Sequence, residues 1–593
     1  MNKNNLLEKI NNPLLFNLDL LEIQNLALKF KKISKNKLNL KKKIKLFISS
    51  DYTTNYLSEL LPLFLANHNI DCDVSEKEFG SLNFLSHDHS NLFWKKNSDF
   101  YLLMPSSNNL KYFPKLNDSN KIIHKKAKQE AKFWINLWKA TKGNIIQTTF
   151  DPISISNFGK LDGIKFGGYL HYIRLVNSIL IENLPLNINL IDVENLIIKN
   201  SYCKWNDNKI FNLTKQPYSM NTLPFLAKDI SSSISSILGL SKKVIILDLD
   251  NTLWGGVIGD DGLDGIILGG ETAEGQSFSN FQTYLKSLSQ KGIILCVCSK
   301  NDPKIAKEVF LKNKHMKLKL DDIALFVANY ENKAENIQKI SKTLNLSLES
   351  FIFLDDSKIE CELVKNKLPS VMVVNMSDDP SDFIEKLESI APFSFRNITK
   401  EDFSRLKSYQ NINLFNKEKS ESKNIDAFLK NLKPQIKFEK ISKNNCERSS
   451  QLIGKTNQFK FNSKIFSSKS LLAKKEKCLP ISFKDKFQHY GVIGVIVYNL
   501  NLNTKTLNIE NWVMSCRVFS RRIEFYVIDF LIKKLKEKKC TFIAFKIEIT
   551  NKNLYLQNFI KELGIKLNKK DNNYLINFNK IMNSKKHYMV KIK

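Results

Sequence analysis

Two aspartates spaced one residue apart, Asp248 and Asp250, with the hydroxyl of Thr252 just beyond, are the side chains in this sequence best placed to do chemistry. They follow Val244–Leu247, an unbroken aliphatic run of the kind found in a strand buried on both faces of a parallel sheet. Open α/β folds hold their ligands at the carboxyl edge of such a sheet. Spacing of two puts both carboxylates on one side for as long as strand geometry persists. Like charges that close in an apolar setting are costly unless a cation or a shared proton offsets them, and an oxygen-ligand cation such as Mg2+ suits them.

Partners recur at intervals suited to successive strand–helix units. Residues 292–297 read as a second apolar strand, running into Cys298, Ser299, Lys300, Asn301 and Asp302. Ser299 is placed to hydrogen-bond a phosphate oxygen, and Asn301 or Asp302 to cap the next helix. Residues 322–327 read as a third strand with Lys333 after it, and 351–354 as a fourth that ends in Asp355 and Asp356. Two carboxylates, a hydroxyl, a lysine and a second acid pair, each beyond a strand, match phosphoryl transfer through a covalent intermediate. That chemistry needs a nucleophilic carboxylate, a neighbouring acid/base, a metal, and cations to offset charge on the phosphoryl oxygens.

The segments 248–252, 299–300, Lys333 and 355–356 resemble the four motifs of the haloacid dehalogenase (HAD) superfamily. The continuation Leu-Trp-Gly-Gly-Val-Ile-Gly-Asp-Asp-Gly (253–262), Lys455-Thr-Asn-Gln-Phe459 and Trp512-Val-Met-Ser-Cys-Arg-Val518 resemble its FkbH-like branch, subfamily IIIC. The resemblance runs from Ile44 to about Gly564. It implies a multidomain α/β chain: a HAD-type Rossmannoid parallel sheet with a minimal cap, flanked by an SGNH-hydrolase-like α/β domain and a GNAT-like α+β domain.

At 593 residues the chain is too long for a single core. A helical lead is expected over 1–43, and the SGNH-like domain over 44–220. The HAD-like domain follows over 221–395, a Lys/Asn/Ser-rich linker over 396–435, and the GNAT-like domain over 436–593. The Gly-rich insert 255–275 reads on its own as a hairpin with turns at Asp261-Gly262 and Asp264-Gly265, and by resemblance as a flap over the site. A short flap leaves the site open to a bulky or protein-borne substrate.

Two flanking sites are expected to have lost part of their chemistry. Ser50 stands where an SGNH-type nucleophile would, but the late segment reads Asp192-Val-Glu-Asn195, with asparagine in the place of the histidine base. Without an imidazole the proton transfer has no replacement, so the domain is expected to be non-catalytic. In the GNAT-like domain, Arg517-Val-Phe-Ser-Arg-Arg522 lacks both glycines of the pyrophosphate loop, which weighs against CoA and leaves room for a pantetheine thiol. The acid-pair motif also departs from FkbH-like sequences. It reads Asp-Asp-Ser-Lys-Ile-Glu-Cys (355–361) rather than Asp-Asp-Asn-Pro-x-Glu-Arg, a difference expected to affect substrate choice rather than the chemistry.

By resemblance, Asp248 is the nucleophile and Asp250 the acid/base, while Thr252, Ser299 and Lys333 bind phosphate. Asp248, Asp250 (through its backbone carbonyl), Asp355 and Asp356 surround Mg2+. The implied substrate is an acyl phosphate such as 1,3-bisphosphoglycerate, whose glyceryl group passes through a thioester to an acyl carrier protein. Cys516, beside Arg517, Arg521 and Arg522, is the first candidate for an acyl-carrying thiol, ahead of Cys298 and Cys361. Two other readings remain open: a phosphatase of a sugar or other small metabolite in polysaccharide or secondary-metabolite biosynthesis, and a non-catalytic scaffold.

Composition bounds the remaining possibilities. The net charge of +32 comes almost wholly from lysine spread along the chain with no block of five like charges, so nucleic-acid binding is not expected. The nine cysteines show no Cys-x-x-Cys spacing and read as free thiols in a reducing cytoplasm. No apolar run is long enough to span a membrane, and no secretory leader is expected.

Overall fold

The computed structural model describes residues 9–592 apart from 11, 13–14, 33–39, 41, 78–79, 83–97, 116, 141–142, 153–157, 186, 202, 377, 391–392, 394–398, 423, 551, 566–572 and 578–590. The chain divides into two compact units, Met1–Ile237 and Leu238–Lys593.

In the first unit, β1 (Lys42–Ser50), β2 (Ile70–Glu76), β3 (Phe100–Met104), β4 (Asn144–Thr148) and β5 (Ile188–Ile191) form a five-stranded sheet in the order β2-β1-β3-β4-β5. All four pairings are parallel. Parallel neighbours need crossovers, and helices Asn55–Asn67, Asn120–Ala140 and Tyr169–Glu182 lie between successive strands. β3 is buried along its whole length, which explains its uninterrupted Phe-Tyr-Leu-Leu-Met sequence. Helix Leu223–Ile237 belongs to this unit and packs on helix Asn55–Asn67.

The second unit holds two sheets. β6 (Val244–Leu247), β7 (Ile294–Ser299), β8 (Leu325–Ala328), β9 (Phe351–Asp355) and β10 (Met372–Asn375) run in the order β10-β9-β6-β7-β8, all parallel. From β6 the chain moves outward through β7 to β8, then returns to the other side of β6 as β9. The strand order therefore reverses between β6 and β9, where doubly wound sheets open a crevice at their carboxyl ends. β6 is central and wholly buried.

The remaining strands are β11 (Gln435–Phe438), β12 (Cys478–Lys484), β13 (His489–Asn501), β14 (Thr506–Met514), β15 (Phe542–Lys546), β16 (Asn573–Asn577) and β17 (Lys591–Ile592). They form a mixed sheet, ordered β16-β15-β14-β13-β12-β11-β17. Hairpin-type neighbours are antiparallel, whereas β14 and β15 are parallel and are joined through helix Ile523–Glu537. The expected α+β character of the C-terminal residues is thus present.

Two expectations about local structure change. The stretch expected to be a connector, with helix only over 400–409, carries the longer 17-residue helix Arg405–Glu421. Tyr409 and Ile412 pack into the core of the parallel sheet, while Phe415 packs with Phe428, Leu429 and Leu432. A helix that buries residues in two directions shows no single apolar stripe, so its sequence looks irregular. The Gly-rich insert is not a hairpin. One bridge, Gly255 N to Ile267 O (3.0 Å) and Ile267 N to Gly255 O (2.9 Å), closes a loop that contains the short helix Ile258–Gly265. Gly256 takes φ +88, and a Cβ there would stand 2.6 Å from Asp261 Oδ2, the atom that accepts from Val257 N.

Candidate active site

Strand register assembles the site. β6 pairs with β9 through Leu247 and Leu354, and Asp248 N continues that ladder to Leu354 O at 3.0 Å. Asp248, one residue past β6, therefore emerges beside Asp355 at the end of β9. Lys333 opens helix Lys333–Leu344, whose cap is Asn332, accepting from Ala334 N. Its ammonium reaches back to Asp248 Oδ1 at 3.0 Å and Asp355 Oδ2 at 2.6 Å. All three side chains are buried, so the ion pairs are little screened. Burial alone would lower the lysine's pKa, but Asp248 and Asp355 outweigh it and hold the ammonium protonated. Burial, with Asp248 alongside, pushes Asp355 up to about 7, and the same two causes raise Asp356. One lysine thus faces more carboxylate charge than it can offset.

The carboxylates of Asp248, Asp355 and Asp356 each offer an oxygen within 4.8 Å of the others. An all-oxygen, excess-negative cluster suits a hard divalent cation, and Mg2+ fits these residues. Backbone and side-chain donors orient the acid pair: Ser357 N donates to Asp355 Oδ1 at 2.9 Å, and Asn375 Nδ2 donates to Asp356 O at 2.7 Å.

Asp250 is held differently. Its Oδ1 accepts from Trp254 Nε1 (3.0 Å) and from Ile258 N (3.1 Å), the first amide of the flap helix, and its Oδ2 accepts from Asn301 Nδ2 (2.9 Å). The carboxylate of Asp250 does not join the acidic cluster, which leaves this residue only its backbone carbonyl to offer a metal. Asn301 Nδ2 also donates to Ser299 Oγ at 3.1 Å, so the acid/base candidate and the candidate phosphate-binding hydroxyl share one amide. Thr252 Oγ1 is buried without a hydrogen-bond partner among the described residues.

Asn301, which joins Asp250 to Ser299, is a residue of the candidate site that the sequence left undecided. The cap of helix Pro303–Lys312 is Asp302, which accepts from Lys304 N and Ile305 N, and this frees Asn301 for the site. Two cap-type residues in a row were the available signal. Asn251 was not singled out; at φ +49 it turns its Oδ1 to Gly256 N (2.9 Å) and fixes the start of the flap.

The cysteines stand apart from this chemistry. Cys298 is fully buried in the sheet's core, its thiol pushed up to about 12 by burial. Cys361 is buried with its Sγ donating to Asp355 O at 3.5 Å, and it too is pushed up to about 12. Neither is disposed to act as a thiolate. Cys516 opens a 3-10 turn after β14 and shares a cleft with Lys243, Ile294 and Ser350. Those residues mark the amino edge of the parallel sheet, so the five-residue rise from Lys243 through β6 to Asp248, about 17 Å at ~3.3 Å per residue, separates the cleft from Asp248. The structure brings Asp248, Asp250, Ser299, Lys333, Asp355 and Asp356 to one edge and Cys516 to the other. Sequence proximity of Cys516 to arginines carries no information about which edge it meets.

In the first unit Ser50 Oγ donates to Met104 O (3.2 Å) and accepts from Tyr52 N (3.1 Å). Asp192 caps helix Val193–Lys199 by accepting from Asn195 N. These residues serve the backbone.

A parallel sheet with an aspartate pair beyond its central strand, and a lysine and a second acid pair at neighbouring positions, is a HAD-type domain. Residues 45–235 match the family model "FkbH, N-terminal domain". A crystal structure of the N-terminal part of protein BF1531 from Bacteroides fragilis, containing a phosphatase domain complexed with Mg, is 29% identical. It covers 64% of this chain and 100% of its own, with a TM-score of 0.58. The chain is thus similar to FkbH over residues 45–235 and to the BF1531 phosphatase-containing fragment over a wider span. The ribosomal-protein-S18-alanine N-acetyltransferase from Escherichia coli overlaps 22% of this chain and 77% of its own, at 9% identity and a TM-score of 0.18. So slight a likeness adds nothing to what the mixed sheet shows. No curated protein matches the chain. Among the described residues, no helix is long and apolar enough to cross a membrane.

Proposed function

We propose that this chain is a Mg2+-dependent phosphatase-type enzyme of the HAD class. Its substrate in this reading is an acyl phosphate such as 1,3-bisphosphoglycerate, from which the glyceryl group passes to an acyl carrier protein thiol. The observation that supports phosphoryl chemistry is the buried bridge of Lys333 between Asp248 and Asp355, with Asp356 completing an acidic cluster. The similarity to the BF1531 phosphatase domain with Mg supports the same reading.

Asp248 attacks the phosphorus of the phosphate ester at carbon 3, forming an aspartyl phosphate and freeing that hydroxyl, while the acyl phosphate at carbon 1 stays intact until the carrier thiol attacks its carbonyl and displaces phosphate. Asp250, oriented by Trp254, Ile258 N and Asn301, gives a proton to the leaving oxygen and later takes one from the attacking water. Ser299, Thr252 and Lys333 bind the phosphoryl oxygens, and Lys333 offsets their charge. Asp248, Asp355 and Asp356 would hold Mg2+, which when bound supplies further positive charge to the phosphoryl group. The acceptor thiol in this reading comes from the carrier protein, because Cys298 and Cys361 are buried thiols and Cys516 lies at the opposite edge. That same separation favours a plain metabolite phosphatase as the second reading.

The test is phosphate release from 1,3-bisphosphoglycerate with and without holo-acyl carrier protein. Asp248→Asn and chelation should each lower release by several orders of magnitude, the scale of lost covalent catalysis. Release that survives both would overturn the HAD reading. Release without any acyl adduct on the carrier protein would leave the metabolite phosphatase.

A further inference from the structure

The cleft at the amino edge of the parallel sheet is lined by Lys243, Arg405, Arg448, Lys455 and Arg517 as well as Cys516. Its floor is the start of β7 and the residue before β6; its other wall is helix Cys446–Lys455 and the turn at 515–517. Cations so concentrated inside a protein are normally paired with carboxylates. Here Arg405 is paired, to Asp402. Arg448 donates from Nη1 to the neutral Gln451, and its Nε is buried without a partner. Among the described residues, the Arg517 guanidinium donates to the hydroxyls of Ser515 (3.3 Å) and Ser408 (3.4 Å), and its Nη2 is buried without a partner. Lys243 Nζ donates to a backbone carbonyl, Lys455 O, at 3.0 Å.

A structural arginine in the same unit looks different. Arg521 donates to Asp485 Oδ2 (2.9 Å), Tyr490 Oη (2.8 Å) and Arg517 O (3.2 Å), and so satisfies its buried guanidinium. The cleft arginines are as deeply buried as Arg521, at 6% and 3% exposure for Arg448 and Arg517 against 8%. Burial and then mutual repulsion lower both Arg448 and Lys455, to about 9 and about 7. Asp402 and Glu401 are the carboxylates whose charge reaches Arg448. The cluster therefore carries more positive charge than its carboxylates offset, with unpaired N–H groups on two arginines that line the cleft.

We propose that this cleft is a second binding site, separate from the Asp248 site, for a phosphate-bearing small molecule with at least two negative charges. Guanidinium forks match the geometry of phosphate oxygens, and each charge-assisted hydrogen bond formed in a buried setting is stronger than one at the surface. The ligand supplies the carboxylate-like charge that the fold omits. Cys516 and Tyr409, whose Oη lies 3.7 Å from Cys516 Sγ, sit beside the bound phosphate.

The probe is inorganic pyrophosphate, titrated calorimetrically into the full-length protein without Mg2+ and in EDTA. Binding that weakens steeply with salt is expected, unchanged in Asp248→Asn and weakened about tenfold or more in Arg517→Gln and in the less buried Lys455→Gln, the scale of one charge-assisted hydrogen bond. A readout that needs no variant is alkylation of Cys516 by iodoacetamide, followed by peptide mass spectrometry, which pyrophosphate should slow. A parallel titration with 4′-phosphopantetheine separates the sources: tighter binding than pyrophosphate assigns a carrier's prosthetic arm, and weaker binding a free phosphorylated metabolite. No binding, binding lost in Asp248→Asn, or unchanged alkylation of Cys516 would overturn the proposal.

Discussion

Asn301 Nδ2 donates to Asp250 Oδ2 at 2.9 Å, and through this bond the loop after β7 orients Asp250, the proposed acid/base beyond β6. Because the same amide also donates to Ser299 Oγ, a substitution there should loosen the proposed proton-transfer group and the proposed phosphate-binding hydroxyl together. Asn301→Ala should lower kcat by about ten- to a hundredfold, as losing a supporting hydrogen bond to a catalytic group does, with a smaller change in KM. Asn301→Asp, which presents an acceptor to an acceptor, should be worse than alanine. Steady-state kinetics on all three proteins checks the order; equal activity in the wild type and Asn301→Ala would remove Asn301 from the site.

Lys333 holds two buried carboxylates, so its loss should show in stability as well as activity. Lys333→Met leaves Asp248 and Asp355 facing each other without a cation, and breaking a buried pair in this way costs about 3–5 kcal/mol. The cost should shrink when Mg2+ is added, because a cation in the acidic cluster takes over part of the same compensation. Denaturant unfolding with EDTA and with Mg2+ measures both. A destabilisation that Mg2+ does not reduce would place the cation elsewhere.

Much of this site could be read from residues whose local rule and global role coincide. Val244–Leu247 is an apolar run because β6 is buried on both faces, and the acids beyond it are visible because nothing else at a buried strand end accounts for them. Lys333 and the 355–356 pair followed from strand spacing in the same way. What stayed hidden was whatever depends on two segments meeting. The pair Asn301-Asp302 offered two equivalent caps, and only the loop's path to Asp250 separates them. The flap's glycines suggested turns, whereas Ile258 N, bound to Asp250 Oδ1, starts a helix there instead. Cys516 looked like an active-site thiol from its arginine neighbours, yet the packing of its turn against helix Arg405–Glu421 places it at the amino edge of the parallel sheet.

Ser50 illustrates how a motif position persists as structure. Its hydroxyl bridges Met104 O and Tyr52 N, and the helix that starts at Val193 brings no imidazole toward it. Ser50→Ala should therefore leave hydrolysis of a short-chain ester at the buffer rate, where the wild type also stands, and should cost about 1 kcal/mol of stability for the lost hydrogen bonds. Ester hydrolysis that is present in the wild type and vanishes in Ser50→Ala would reinstate the hydrolase.

The last prediction concerns pH and a carboxyl group far from the phosphoryl site. Glu524, in the first turn of helix Ile523–Glu537, is 4% exposed. It accepts one hydrogen bond, from Tyr555 Oη at 2.9 Å, and its Oε2 is buried without a partner. Burial pushes its pKa up to about 7, well above the ~4.3 of an unfolded glutamate. Between those two values the folded chain holds a proton that the unfolded chain has released. The stability Glu524 contributes is thus fully present below about pH 4 and is lost as pH rises through 7. Glu524→Gln keeps the shape and removes the titration, so the variant should gain on the wild type as pH rises, by up to about 3 kcal/mol near pH 8, and gain little near pH 4.5. Unfolding of both proteins across that range, followed by hydrogen exchange of the amides of helix Ile523–Glu537, measures the difference. A gap that stays constant with pH would show that Glu524 is ionised in the folded chain at every pH tested.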